Sequence, residues 1–353
     1  MTDRTYLRPT GFVDAPFGYD GKVARLAGGL QFFAAVEIIR DDAKELVPVE
    51  GIEARLGEAE RAVWERLISP RPPLRLGERV IRLDQPQVVG ILNVTPDSFS
   101  DGGRFEDSEA AIGAGHEMAS AGAALIDVGG ESTRPGAKPV WEGDEAARVL
   151  PVVQRLAAAG TAISVDTRKA AVMEQALGVG AAMINDVSAL AWDPRSAEVA
   201  ARAGCPVVLM HHSGPPETMQ DNPHYDRPVL LEVYDFLEDG IGRAVAAGIA
   251  REKIVVDPGF GFGKSVQHNL QVMNGLALLH GLGCPLMVGA SRKRTIGALS
   301  GEAPADRRLA GSIALALKAA GQGAQLLRVH DVPETIQALR VWRGLRDSAL
   351  IPG

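Results

Sequence analysis

The chain has 353 residues, of which 46% are hydrophobic and 23% are charged, and its mean hydropathy is +0.02. These values predict a globular protein with one large hydrophobic core or two moderate ones. The formal net charge of −7 argues against a nucleic-acid partner, because such partners select a basic surface.

The cysteine content and the apolar runs predict where in the cell the protein is located. Cys205 and Cys284 are the two cysteines of the chain; they are too few for a disulfide framework and lack the spacing of zinc ligands. We therefore expect a reducing, cytoplasmic environment. The N-terminal sequence has no apolar signal segment, and no run of about 18 apolar residues occurs, so we expect neither export nor a membrane span.

The first 85 residues differ in pattern from the rest of the chain. They contain an apolar patch, GGLQFFAAVEII, and a stretch at 52–68 whose apolar spacing predicts an amphipathic helix. The proline-rich SPRPPLRLGE that follows predicts a linker or boundary. We divide the chain into an N-terminal extension, residues 1–85, and a second domain, residues 86–353. We expect the extension to be an additional α/β segment and interpret it as a packing or oligomerisation appendage.

From residue 86 onward, short apolar runs rich in Val and Ile alternate with Ala- and Leu-rich helical stretches. The eight runs are 88–92, 125–128, 162–165, 183–184, 207–209, 254–256, 286–288 and 326–327. They are apolar throughout, which is typical of parallel strands buried on both faces.

The stretches between the runs carry helix start and stop signals. Asp107 and Ser108 are predicted to cap a helix that ends at Ala121, with Gly122 closing it. Glycines also stand shortly before five runs, where a helix usually ends: Gly160, Gly204, Gly248, Gly283 and Gly323. Eight βα units of this total length match a (β/α)8 TIM barrel of roughly 250 residues. An open doubly wound sheet is the alternative; we favour the barrel because eight units close without an excess strand.

Polar residues follow every apolar run, at the end of a barrel where active sites are built. The residues at these positions are Asn93, Asp127, Glu131, Thr133, Arg134, Asp166, Thr167, Arg168, Asn185, Asp186, Met210, His211, His212, Asp257, Ser291, Arg292, Lys293, Arg328, His330 and Asp331. One such Asp is commonly a helix cap, but eight strand ends of this kind indicate a site. Asp and Asn side chains suit a heterocycle with an amidine-like edge, and Arg, Lys and His suit an anion.

The sequence matches neither the phosphate-loop pattern nor a familiar zinc-binding pattern. Gly263-Lys264-Ser265 is not a phosphate loop, because Pro258 stands where that pattern requires Gly. The glycines of GFGFG predict close approach of the backbone to a ligand, or a plain turn. His211 and His212 fit no familiar zinc spacing.

Seven motifs in chain order carry a resemblance to a known family. They are GILNVTPDSFSDGG, DVGGESTRPGA, ISVDTRK, INDVSA, VDPGFGFGK, GASRKR and RVHDV. Together they span residues 90–332 and resemble the dihydropteroate synthase family of pterin-binding enzymes, which act in the folate pathway.

The resemblance implies a (β/α)8 barrel that joins 6-hydroxymethyl-7,8-dihydropterin pyrophosphate to p-aminobenzoate and releases pyrophosphate. It implies pterin contacts at Asp166, Asn185, Asp257 and Lys293, with Met210 and Phe262 as pocket walls. It implies that Asn93, Arg328 and His330 form the end of the site that binds the anion and Mg²⁺. We take Asn93 as the metal residue. We expect Arg328, His330 and Lys293 to be the catalytic residues. Two loops, residues 95–103 and 130–136, are expected to supply Phe99, Thr133 and Arg134 to the pyrophosphate and aminobenzoate.

The resemblance also implies a homodimer, and two other functions remain as alternatives. A pterin-dependent methyltransferase would use Asp and Asn in a similar way but has less use for the SRK, ESTRPG and RVH motifs. A non-catalytic pterin-binding barrel predicts a damaged anion site, whereas Asn93, Arg328 and His330 are all present.

Overall fold

The computed structural model describes residues 4–40, 43–95, 104–132, 139–214 and 218–350. The extension contains an antiparallel sheet in which β3 (Phe32–Arg40) pairs with β1 (Thr5–Val13), β2 (Ala24–Arg25) and β4 (Ala43–Pro48). Helix α1 (Glu58–Ile68) covers this sheet. The prediction of an additional N-terminal α/β segment is therefore confirmed.

The continuous helix predicted over residues 52–68 is wrong. The segment forms a 3-10 turn (Ile52–Arg55) and then α1, separated by extended backbone at Leu56 and Gly57. The backbone N–H of Gly57 donates to Glu60 Oε2 at 2.7 Å. The second helix thus has its own hydrogen-bonded N-terminus, which an apolar spacing pattern does not reveal.

At the end of the proline-rich stretch, β5 (Leu74–Leu76) forms a hairpin with β6 (Arg79–Ile81), which directly follows the stretch. Its apolar side chains pack against residues at the N-terminal end of the barrel interior, among them Val89, Leu125 and Leu326. The stretch therefore closes one end of the barrel. The division of the chain at residue 86 stays a prediction.

Among the described residues, eight parallel strands form the barrel. They are β7 (Gln87–Asn93), β8 (Leu125–Gly129), β9 (Ile163–Asp166), β10 (Met183–Asp186), β11 (Val207–Met210), β12 (Ile254–Asp257), β13 (Met287–Val288) and β14 (Leu326–Val329). The pairing order is β12-β11-β10-β9-β8-β7-β14-β13, and a parallel bridge between Val256 and Leu286 joins the two ends. The barrel prediction is confirmed, and the open sheet is excluded.

Helices follow the strands and cover the outside of the barrel. They are α2 (Arg104–Ala121), α3 (Glu142–Ala158), α4 (Ala170–Gly178), α5 (Ser196–Ala203), α6 (Val229–Ala246), α7 (Val266–Gly275), α8 (Arg294–Leu299), α9 (Leu309–Gly321) and α10 (Val332–Ser348). Asp107 and Ser108 lie inside α2, so their prediction as an N-cap is wrong. In the described part of the chain, no helix is long and apolar enough to cross a membrane.

A buried arginine joins the extension to the barrel. Arg71 is 7% exposed, and its guanidinium donates to four backbone carbonyls: Arg66 O, Ser69 O and His280 O at 2.9 Å each, and Cys284 O at 3.3 Å. Burial lowers the pKa of Arg71 to about 10. Neutral carbonyls thus solvate a buried cation on both sides of the junction.

We expect Arg71→Met to lower the free energy of unfolding by about 2–4 kcal/mol, because carbonyls that lose a donor in the interior remain unsatisfied. Urea denaturation measures this change. The control is Arg75→Met on the neighbouring strand, where the side chain is exposed and the expected change is within about 0.5 kcal/mol. Equal effects of the two substitutions would contradict this role of Arg71.

Candidate active site

Strand ends on one side of the barrel bring an arginine between two carboxylates. Arg328, on β14, donates from Nε to Asp127 Oδ2 and from Nη2 to Asp166 Oδ2, each at 2.6 Å. Asn185 Nδ2 donates to the same Asp127 oxygen at 2.9 Å. These four side chains come from β8, β9, β10 and β14, and all are largely buried. They form one charged cluster, which we call the Arg328 cluster.

The electrostatics of the Arg328 cluster follow from burial. Desolvation raises the pKa of Asp166 to about 7, although the Arg328 charge opposes the rise and the Asp127 charge adds to it. Burial disfavours the charge on Arg328 too, but the Asp127 and Asp166 carboxylates outweigh it and raise the pKa of the guanidinium. The cluster therefore keeps a permanent cation beside an acid that titrates near neutrality.

A second group lies around Asp257, at the end of β12. Asp257 Oδ1 accepts from the backbone N–H of Gly259 at 2.7 Å, and burial raises its pKa. Lys293 Nζ lies 3.9 Å from the centroid of the Phe262 ring, and burial lowers the pKa of Lys293 to about 7, opposed by the Asp257 charge. A carboxylate, an ammonium and an aromatic face are thus adjacent.

Gly289 lies between the Arg328 cluster and the group around Asp257. A Cβ atom at Gly289 would lie 3.7 Å from Arg328 side-chain carbons and 3.9 Å from Asp257 Oδ2. The Arg328 charge lowers the pKa of Lys293, and the charges of both side chains oppose the rise in the pKa of Asp257. The structure therefore brings together the predicted residues Asp166, Asn185, Asp257, Lys293 and Arg328.

The remaining predicted residues lie at the same end of the barrel or outside the described residues. Met210 is buried at the end of β11 and pairs in register with Asp257. The His330 Nδ1 atom lies 3.0 Å from Ser291 Oγ, and burial together with the Arg328 charge lowers the pKa of His330 to about 4. Phe99, Thr133 and Arg134 lie outside the described residues.

Asn93 is the predicted metal residue, and it faces the barrel interior. On β7, Val89 packs in the interior cluster while Leu92 packs in the outer core, so alternation directs Asn93 inward. No group of three or more His, Cys, Asp or Glu residues that could hold a metal occurs in the described parts of the chain. An amide oxygen fits Mg²⁺ that keeps waters and substrate phosphates as its other ligands.

The sequence analysis places Asp127 among the polar strand-end residues but assigns it no role. Its position after an apolar run was a signal equal to that of Asp166, but its contact with Arg328 spans 201 residues of sequence and no local pattern indicates it. Ser291 is also among those strand-end residues, and its contact with His330 was not predicted. Each of these residues orients a predicted side chain.

Lys264 is a further buried cation beneath the GFGFG turn. Its Nζ lies 2.7 Å from His211 Nδ1 and donates to Gly259 O at 3.0 Å and Phe262 O at 3.2 Å. Burial lowers the pKa of Lys264 to about 7 and holds the pKa of His211 well below its usual value. Lys264 therefore connects both sides of the turn that carries Phe262 through hydrogen bonds.

The lowered pKa of Lys264 predicts a pH-dependent stability. Between about pH 7 and the usual value near 10.5, the unfolded chain binds more protons at this side chain than the folded chain, so folded stability rises with pH. We expect the unfolding free energy of wild type to rise relative to that of Lys264→Met as the pH increases from about 7 to 9.5. The slope is up to about 1.4 kcal/mol per pH unit.

Chemical denaturation at each pH measures that difference. The control is Lys253→Met, because Lys253 also donates to a carbonyl, Gly204 O, but in a contact exposed to solvent. Its difference from wild type is expected to stay constant with pH. A flat or falling difference for Lys264→Met would be inconsistent with a cation held at a lowered pKa.

Sequence comparisons identify relatives of the barrel. A sequence model described as pterin binding enzyme matches residues 89–330. The dihydropteroate synthase of Escherichia coli strain K12 is 50% identical over 260 residues, which cover 73% of this chain and 91% of that protein. The Mycobacterium leprae dihydropteroate synthase is 45% identical over 261 residues, covering 72% of this chain and 92% of the relative.

Solved structures agree in fold. A Xanthomonas albilineans dihydropteroate synthase with 4-aminobenzoic acid superposes with a TM-score of 0.75 at 48% identity, covering 80% of this chain and 100% of that one. The same enzyme in complex with 7,8-dihydropteroate gives a TM-score of 0.72 at 45% identity, with the same coverage. The chain therefore belongs to the dihydropteroate synthase family of pterin-binding enzymes, and it is a transferase.

Proposed function

We propose that this chain condenses 6-hydroxymethyl-7,8-dihydropterin pyrophosphate with p-aminobenzoate to form 7,8-dihydropteroate and pyrophosphate. The observation that carries the proposal is the adjacency of two chemically different groups. Asp257 and Lys293 suit a pterin, and Arg328 with His330 suits an anion. One member of each group, Asp257 and Arg328, lies beside Gly289.

The pterin end is supported by hydrogen-bonding chemistry. The 2-amino and ring N–H groups of a pterin form a flat donor edge, which a carboxylate such as Asp257 can accept at two oxygens. Asn185 and Asp166 extend the polar edge, and the Met210 and Phe262 side chains supply apolar walls. Binding would favour the ionised form of Asp257, because hydrogen bonds to a carboxylate oppose the effect of burial on its pKa.

The anion end is assigned to Arg328, His330 and Asn93. Arg328 would bind the departing pyrophosphate, since a guanidinium forms strong charge-assisted hydrogen bonds with phosphate oxygens. His330 is neutral in the free protein, and an anion beside it would favour its protonated form. Mg²⁺, with Asn93 as a protein ligand, would supply Lewis-acid stabilisation of pyrophosphate charge when bound.

The proposed reaction is a dissociative displacement at the pterin methylene. The C–O bond breaks and its electron pair leaves on pyrophosphate, while Arg328 and His330 stabilise the developing negative charge. The electron-rich pterin and the buried carboxylates stabilise positive charge on the carbon. The lone pair of the neutral aniline nitrogen then forms the C–N bond, and this nitrogen loses one proton. Phe99, Thr133 and Arg134 are proposed to contribute to the aminobenzoate and pyrophosphate sites.

The assembly and compartment are proposed more briefly. We propose a cytoplasmic homodimer. On the outer helix α10, Val341 is 60% exposed and Leu345 is 71% exposed one turn later, an apolar surface that association would cover. Both described cysteines are free, which fits a reducing compartment. Sedimentation equilibrium should give twice the chain mass; a monomer mass would exclude the dimer.

The direct test mixes the purified protein with both substrates and Mg²⁺. Pyrophosphate release is expected to require p-aminobenzoate. Release that does not require it, or no release, would reject the synthase reaction; no release with intact pterin binding would favour the non-catalytic barrel.

We expect Arg328→Lys to lower kcat by about 100-fold or more, because a lysine keeps the charge but cannot hold Asp127, Asp166 and an anion together. Steady-state kinetics measure the loss. Arg343→Lys is the control, since Arg343 is exposed on α10 and pairs with Asp347. Arg328→Lys with kcat within a factor of about two of wild type would reject this role.

A further inference from the structure

The first strand of the extension contacts α6 through a buried tyrosine. Tyr6 is 3% exposed, and its hydroxyl lies 2.9 Å from each carboxylate oxygen of Asp235. Its ring packs edge-on against Tyr234, with centroids 5.4 Å apart. Arg4 adds ion pairs to Asp235 and to Glu238. The contact is therefore both apolar and charged, and it fixes β1 against the N-terminal half of α6.

Arg227, just before α6, completes this contact. Its guanidinium pairs with Asp235 and donates from Nη1 to the Tyr6 hydroxyl at 3.3 Å. Its backbone N–H donates to Glu232 Oε1 at 2.6 Å. The extension thus holds the end of the loop that leads into α6. We call the described part of that loop, residues 218–228, the α6 loop.

The α6 loop holds the turn at the proposed pterin wall. Tyr225 donates from its hydroxyl to Gly263 O at 2.8 Å, and Gln220 Nε2 donates to Gly261 O at 2.6 Å. These two carbonyls stand on either side of Phe262, whose ring faces the Lys293 ammonium. A continuous series of hydrogen bonds and covalent links therefore runs from the extension to the pocket wall.

The turn that receives these bonds is closely constrained. Gly261 and Gly263 have φ values of 83° and 63°, and a Cβ at Gly263 would lie 2.7 Å from Ser213 atoms. Such a backbone has little room to relax, so a change in the α6 loop is transmitted as a change in the position of Phe262.

We propose that the N-terminal extension positions the pterin wall, with Tyr6 acting through Asp235 and Arg227 on the α6 loop. This proposal rests on the proposed function for the identity of the ligand. Tyr6 is a positioning residue, since its hydroxyl contacts Asp235 and Arg227 and acts on the turn through the α6 loop. The extension lies outside the region matched to the family, residues 89–330, so this support is added to the family's barrel by the present chain.

Tyr6→Phe tests the proposal, because it removes the hydroxyl and keeps the ring that packs on Tyr234. We expect faster hydrogen–deuterium exchange in the peptide containing residues 259–263 of the unliganded protein. The KM for the dihydropterin pyrophosphate should rise roughly two- to five-fold, because only part of the free energy of the lost hydrogen bond to a charged group reaches the pterin wall, while the KM for p-aminobenzoate and kcat stay unchanged. Arg227→Gln should move the same quantities in the same direction and further.

Arg8→Gln is the matched control. Arg8 lies on the same strand but pairs with Glu37 within the extension sheet, at 2.7 Å, and its replacement should leave exchange and both KM values at wild-type levels. Unchanged exchange in Tyr6→Phe, or faster exchange with an unchanged pterin KM, would overturn the proposal. Equal rises in both KM values would overturn it too, because they indicate general destabilisation.

Failure of the proposed function can be told apart from failure of the positioning role. If the wild-type protein releases no pyrophosphate, the exchange measurement still applies, and calorimetric binding of 6-hydroxymethylpterin replaces KM. Faster exchange together with weaker binding in Tyr6→Phe, relative to Arg8→Gln, would support the positioning role even then. Absence of either change would overturn it.

Discussion

The ion pairs of Arg328 with Asp127 and Asp166 are the interaction on which the site depends. Buried charges are costly unless each has a partner. Here one guanidinium pairs with two carboxylates from neighbouring strands, and the raised pKa of Asp166 lowers the excess negative charge. The arrangement requires a strongly curved sheet. β7 separates β14 from β8 and β9, so Arg328 reaches Asp127 and Asp166 only across the concave inner face of the barrel. Fold and electrostatics therefore support each other, and the cation held in this way is the one that the proposed reaction uses.

Much of the barrel could be predicted from the sequence. Apolar runs gave the strands, and the polar residues after them converge because parallel strands end on one face. The partners within that face could not be predicted. Arg328 contacts Asp127 and Asp166 across 201 and 162 residues, and such pairs follow from the radius and stagger of the barrel rather than from any local pattern. The sequence around Lys264 does not match a phosphate loop and indicates no other role for this lysine. Its burial follows from the folded turn and is not apparent in the sequence.

The extension was less predictable for a different reason. Its helix at residues 52–68 breaks at Leu56 and Gly57, where a backbone hydrogen bond competes with an apolar pattern that runs through both parts. Its proline-rich stretch leads into a hairpin of three-residue strands, which are too short for a periodic pattern to predict. The extension has its own core around Phe33 and Trp64, yet its contacts through Arg71 and Tyr6 fasten it to the barrel. The extension is thus a folded addition, and it affects the site mainly through its contacts with the barrel.

The most direct measurement is a crystal structure of the protein with 6-hydroxymethylpterin, pyrophosphate and Mg²⁺. The account predicts a pterin ring between Met210 and Phe262, with its amino edge on Asp257, and pyrophosphate in contact with Arg328 and His330. A pterin bound away from Asp257, or pyrophosphate out of reach of Arg328, would contradict it.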